Sequence, residues 1–184
     1  MKAHSMLWRR LDTPGHDACR IQEQSTGCQM NGTAVFQQNG VPVQLAYHVA
    51  CDKDWRTRLG TVRGFLGTEA VDVTIERAAS GAWTFNGRVV DGFEPYIHLD
   101  FGFTPATNFQ QLRQLALSEG QAADLPVVWL NTPLRELQVL PQRYERRSEL
   151  TYWYEAPSVG YAALLELTPS GLVHFYPGLW KREA

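Results

Sequence analysis

A chain of 184 residues, 44% apolar and 20% charged, has the length of a single β-rich domain and enough apolar surface to offset the entropy of folding, which excludes long disorder. A net charge of −2 and a pI near 6.2, without any block of Lys or Arg, exclude the basic footprint that a nucleic-acid backbone demands. No run approaches the eighteen or so consecutive apolar residues of a membrane-spanning helix, and residues 1–11 (MKAHSMLWRRL) lack the apolar core of an export signal, so a cytoplasmic location is expected.

In chain order, Cys19 and Cys28 come first, with Cys51 beyond them. An odd number without a CxxC pair reads as buried free thiols. Cys19 and Cys28 could face each other across a hairpin turning near Ser25-Thr26-Gly27, a pairing that a cytosolic redox poise would keep reduced. A strand around 33–36 runs into the turn signal Gln38-Asn39-Gly40, after which Leu45, Tyr47 and Val49 alternate with Gln44, Ala46 and His48, the pattern of a hairpin. Val71, Val73 and Ile75 alternate with Asp72, Thr74 and Glu76 as a half-buried strand requires. Gly, Pro, Asn and Ser then punctuate β-compatible runs at 82–85, 96–101, 127–130, 137–147, 150–155, 161–167 and 172–175, so the chain is expected to be all-β, with about a dozen or more strands. Pro141 cannot donate to a ladder and predicts an edge or a bulge in its run. At 108–117 the spacing of Leu112, Leu115 and Ala116, with Thr107 or Asn108 as N-cap, fits a short helix, although a strand fits as well.

Motifs that carry chemistry are few. His98-Leu99-Asp100 sets two ligand types on one strand face without a third, so neither metal nor other cofactor is expected, and there is no nucleophile elbow or phosphate-cradling glycine loop. Between 51 and 58, strand alternation would put Trp55 and Thr57 on one face and Arg56 and Arg58 on the other. These guanidiniums could clamp a phosphate or carboxylate head group, or pair locally with Asp52 and Asp54. Around Gly102 and Pro105, the polar residues Asp100, Thr104, Thr107 and Asn108 suit either a rim loop over a cavity or a structural corner. Tyr176 and Trp180 flank a Pro-Gly turn and read as a plug or clamp for the last strand, while Tyr144, Tyr154 and Tyr161 could fill a core or stack on a ligand.

Four blocks occur in order: WRRLDTPGHDACRI (8–21), CDKDWRTR (51–58), LDFGFTPATN (99–108) and YPGLW (176–180). This series resembles the bacterial family called Putative glycolipid-binding, over nearly the whole chain from Trp8 to Trp180. The resemblance implies a single strongly curved, mostly antiparallel sheet approaching a barrel, similar in shape to the carriers of lipoproteins. It also implies non-catalytic binding of an apolar or amphipathic ligand, a glycolipid by the family's name, in the cavity of that sheet. The residues expected to bind it are Arg56, Arg58, Asp100, Thr107, Asn108, Tyr144 and Trp180. An enzyme using the same cavity, with His98, Asp100 and Tyr144 as acid–base groups, is the alternative, and a module that pairs through an exposed strand edge is a third reading. The expected partner is a small amphipathic or lipid-like molecule, not nucleic acid; a homodimer stays open.

Overall fold

The computed structural model describes residues 2–184. Six long strands open the chain: β1 (Lys2–Arg10), β2 (Gly15–Gln24), β3 (Gly27–Gln38), β4 (Val41–Asp52), β5 (Thr57–Leu66) and β6 (Glu69–Arg77). Period-two patterning explains them. In β4, Val43, Leu45, Tyr47, Val49 and Cys51 are buried, and the antiparallel register sets them opposite Phe36, Ala34, Gly32, Met30 and Cys28 of β3. One face of this hairpin is therefore largely apolar along its length. Asn39 and Gly40, at φ of 50° and 84°, supply a two-residue turn whose backbone twist matches the flanking strands.

Shorter elements follow: β7 (Trp83–Phe85), β8 (Arg88–Val90), β9 (Leu99–Phe101), helix α1 (Asn108–Leu115), β10 (Ala122–Asp124), β11 (Val127–Leu130), β12 (Gln138–Leu140), β13 (Arg143–Ser148) and β14 (Thr151–Ala156). After a 3-10 turn (Pro157–Val159) come β15 (Tyr161–Leu167), β16 (Val173–Tyr176) and β17 (Trp180–Arg182). Fourteen strands form one antiparallel sheet in the order β10-β13-β14-β15-β16-β17-β1-β2-β3-β4-β5-β6-β7-β8, and β12-β11-β9 make a small second sheet in which β11 and β9 run parallel. The all-β expectation holds, and 108–117 resolves as a helix ending at Leu115. The large sheet does not close into a barrel, because β10 and β8 remain its edges. The run around Pro141 does hold an edge strand, since β12 lies at the edge of the small sheet, and Pro141 itself marks a crossing between sheets: β12 before it pairs with β11, β13 after it with β14. A residue without an N–H suits that gap.

The large sheet is strongly curved, as the reach of α1 demonstrates. Gln110 accepts a hydrogen bond from the Cys51 thiol on β4 (2.6 Å), while Asn108 donates to Tyr144 on β13 (2.8 Å). On a flat sheet β13 and β4, second and tenth in the strand order, would lie roughly 40 Å apart, whereas an eight-residue helix is only about 12 Å long. The sheet must wrap around α1. The small sheet packs into the same hollow: at Gly60 of β5 even a Cβ would come within 2.2 Å of the Leu99 side chain, so glycine lets β9 rest directly on β5. Phe101, Phe103 and Phe109 are almost fully buried there, each contributing about 1.5–3 kcal/mol of apolar burial. The expected hollow is thus mostly filled by the chain itself.

Both ends of the chain join the large sheet. β17 pairs with β1, and the buried Trp8 indole donates to the Val173 carbonyl on β16 (2.7 Å). Among the described residues no helix is long and apolar enough to cross a membrane.

Candidate functional site

The segment from β9 into α1 carries the inner polar groups. Asp100, on the middle residue of β9, is buried; it accepts hydrogen bonds from the Thr107 hydroxyl (2.5 Å) and the Gln142 amide (2.8 Å). Burial raises its pKa against the pull of these donors, favouring the neutral acid. Thr107 occupies the N-cap of α1 but makes no side-chain cap, since its hydroxyl serves Asp100 and receives the Phe101 N–H (3.3 Å). The helix forgoes a cap worth about 1 kcal/mol so that a buried carboxyl is satisfied. One turn earlier Thr104 donates to a second buried carboxyl, Asp17 on β2 (2.5 Å), which also accepts from the Tyr47 hydroxyl (2.9 Å). The Gly-Pro-bent segment is therefore a structural corner whose two threonines each hold one buried aspartate.

Beyond Asp100 the Tyr144 hydroxyl donates to Gln111 (2.8 Å) while accepting from Asn108, and its ring lies 4.9 Å from that of Tyr154. From there the rings continue outward: Tyr154 meets Tyr161 at 6.0 Å and Tyr176 at 5.7 Å, and Tyr161 meets Tyr176 at 5.3 Å. These tyrosines stand on β14, β15 and β16, so cross-strand adjacency brings them together. They wall a cavity of about 240 Å³ whose lining also includes Asp100, Thr104 and Asn108 from the corner, Trp129 from β11, and Leu179 and Trp180. Val159, also in the lining and 49% exposed, marks the mouth. Burial pushes the Tyr161 hydroxyl up to about 12 and that of Tyr176 well above its usual value, so these walls stay neutral. The cavity offers aromatic faces beside a buried carboxyl and an amide, a combination that can stack on a ring and hydrogen-bond its edge. A larger, open depression of about 680 Å³ lies among the exposed Ala18, Arg20, Asn31 and Thr33, and its lining also includes the buried Met6, Cys19 and Tyr47.

The family profile described as Putative glycolipid-binding matches residues 5–182. The chain belongs to this family. Among solved structures it is similar to a crystal structure described as a DUF1089 family protein from Pseudomonas aeruginosa, with 26% identity and a TM-score of 0.81 over 91% of each chain. No curated protein matches.

Of the binding residues expected for a member of the glycolipid-binding family, Asp100, Asn108 and Trp180 line the cavity. Thr107 and Tyr144 stand behind them, bonded to Asp100 and Asn108. Arg56 and Arg58 lie elsewhere, outside the lining, and Arg58 pairs with Asp52 at 3.1 Å. Trp55 is not on a strand face at all: it sits in the turn after β4 at φ 64°, where its ring packs on Phe109 (5.8 Å). His98 is fully buried, and among the described residues neither ring nitrogen has a hydrogen bond of good geometry, with the Gln114 side chain its nearest polar candidate; burial lowers its pKa to about 4. Its polar surroundings, Gln114 and Arg77, differ from those of Asp100, so His98, Asp100 and Tyr144 do not form one acid–base cluster. No group of three His, Cys, Asp or Glu among the described residues could hold a metal.

The three cysteines are free and buried. Cys19 stands opposite Gly32 rather than Cys28, and Cys28 faces Cys51 across β3 and β4. Gln110, Gln111 and Gln142 escaped the sequence reading, although paired glutamines in the first turns of a helix with an apolar face were a visible signal.

Proposed function

We propose that the protein is a non-catalytic binding protein that takes one end of an amphipathic ligand, the ring-shaped polar head of a glycolipid, into the inner cavity. The supporting observation is the cavity's make-up: tyrosine and tryptophan faces around a floor of buried Asp100 and Asn108. Its volume of about 240 Å³ lies below the roughly 300–1,000 Å³ of sites that enclose a whole drug-sized ligand. A sugar ring therefore enters and stacks, Asp100 and Asn108 hydrogen-bond its hydroxyls, and the alkyl portion leaves past Val159 and Leu179. The whole chain acts as one binding domain on this reading, since the walls come from β9 through β17 while β1 is bonded to β16 and β17.

Octyl glucoside below its micellar concentration tests this reading. Tyrosine and tryptophan fluorescence should change saturably with the glucoside and weakly with free glucose or octanol alone. Ala156→Trp, which adds bulk inside the cavity, should abolish the response. Val159→Asp, which only charges the exposed mouth, should weaken it about tenfold, and circular dichroism should show both variants folded. An unsaturable response, or one that both folded variants retain, contradicts the proposal.

A further inference from the structure

A second pocket, of about 260 Å³, lies under the other end of β14, between the C-terminal end of α1 and the β15–β16 turn. Its lining includes Arg113, Arg146, Tyr152, Thr168 and Glu149. Among the described residues Arg146 makes no carboxylate contact: its nitrogens donate to the backbone carbonyls of Ser148 (3.1 Å), Leu117 (2.7 Å) and Glu149 (3.0 Å). Three neutral acceptors hold the guanidinium in place and leave its charge uncompensated, which is unfavourable for a half-buried cation. Arg113 reaches the Ser170 carbonyl (3.1 Å) and Glu23 only at 3.4 Å, well beyond the 2.7–2.9 Å of a good charge-assisted bond. That carboxylate oxygen is already 3.0 Å from His4. Other arginines, such as Arg10 with Asp12 at 2.7 Å or Arg143 with Asp124 at 3.0 Å, do find close partners.

The rest of the lining suits an anion. Tyr152 is 6% exposed, and the Arg146 guanidinium sits 5.8 Å over its ring. Its hydroxyl makes no hydrogen bond among the described residues and can donate to a guest. The Thr168 hydroxyl meets Ser170 (2.8 Å), the Leu172 carbonyl (3.3 Å) and the Leu172 N–H (3.2 Å), so it holds the β15–β16 turn that walls the pocket. Glu149 also lines the pocket and opposes an anion, but it is exposed, so water and salt screen its charge. Arg113 also complements the helix C-terminus, and Arg146 also ties down two loops; neither duty uses all the N–H groups a guanidinium carries.

From this we infer that Arg113 and Arg146 clamp an oxyanion, a phosphate or carboxylate group, in the pocket between α1 and the β15–β16 turn. The site is independent of what fills the inner cavity. The probes are inorganic phosphate and dodecyl phosphate below its micellar concentration, added to the intact protein while the arginine Nε–H resonances are followed by NMR. Millimolar phosphate should shift the Arg113 and Arg146 signals saturably and leave the ion-paired Arg143 signal in place. Arg113→Gln, at an exposed position, should weaken phosphate binding about tenfold. Arg146→Lys, which keeps the charge but loses the fork, should weaken it with the fold retained. Dodecyl phosphate binding more tightly than phosphate at the same arginines would assign the anion to an amphiphile head group, and equal affinity would assign it to a free ion. Shifts that chloride reproduces at equal ionic strength, or binding that Arg113→Gln leaves unchanged, would overturn the inference.

Discussion

Asp17 shows what a buried carboxyl costs in this fold. It is fully buried on the inner face of β2, and burial pushes its pKa up to about 6 despite the hydrogen bonds from Thr104 and Tyr47. Below about pH 4 the carboxyl is protonated in the folded and unfolded chains alike. As pH rises the unfolded carboxyl ionises first, so the folded state loses ground between about pH 4 and pH 6, by about 3 kcal/mol in all. Asp17→Asn has no proton to lose there. Its stability relative to the wild type should therefore rise by about that amount from pH 4 to pH 7, as read by urea unfolding at the two pH values; a difference that stays constant would sink the assignment. Asp17 gave no warning in the sequence, because a single acid between His16 and Ala18 looks like any surface residue. Asp100 was legible, since it sits beside a Gly-Pro corner with two threonines following. Trp55 was misplaced for a local reason: nothing in the run CDKDWRTR announces a left-handed backbone at a tryptophan.

Helix α1 is the element that links the two halves of the hollow. Through the Tyr144 hydroxyl it is tied to β13, and Tyr144→Phe removes that tie while leaving the ring in place. Asn108 and Gln111 would lose their shared partner in a buried setting, a cost of about 1–3 kcal/mol. In urea the midpoint should fall with an unchanged slope, and an unaltered midpoint would mean that apolar packing alone seats the helix. Among the long strands, β3, β4 and β6 could be read in the sequence because period two is clear within them, whereas β1, β2 and β5 were not read as strands. Elements of three or four residues, such as β9 and β12, carry too little pattern to reveal which sheet they join. Pro141 was visible as an interruption, but one chain cannot say that the interruption separates two sheets.

For the molecule as a whole, curvature decides where cavities can lie. Fourteen strands wrapped around α1 and a small sheet leave little empty volume, and what remains is divided. One aromatic cavity lies near the 3-10 turn and the Tyr176–Trp180 turn, and one polar pocket lies toward the start of β14. The fold class and the 99–108 corner were legible, the first from alternation and the second from its Gly, Pro and Thr content. The tyrosine wall was not, because Tyr154, Tyr161 and Tyr176 meet only through strand pairing. The arginines of the 51–58 block drew attention by their charge, yet in the structure they sit outside the cavity and Arg58 has a local partner.

Backbone amide NMR of the labelled protein, titrated with octyl glucoside below its micellar concentration, tests the binding proposal most directly. A ligand entering the inner cavity should give saturable shifts at 100–108, 154–161 and 176–180, with the outer-face residues Ala18, Thr33 and Ala46 unmoved. Shifts confined to that outer face, or none at all, would contradict it.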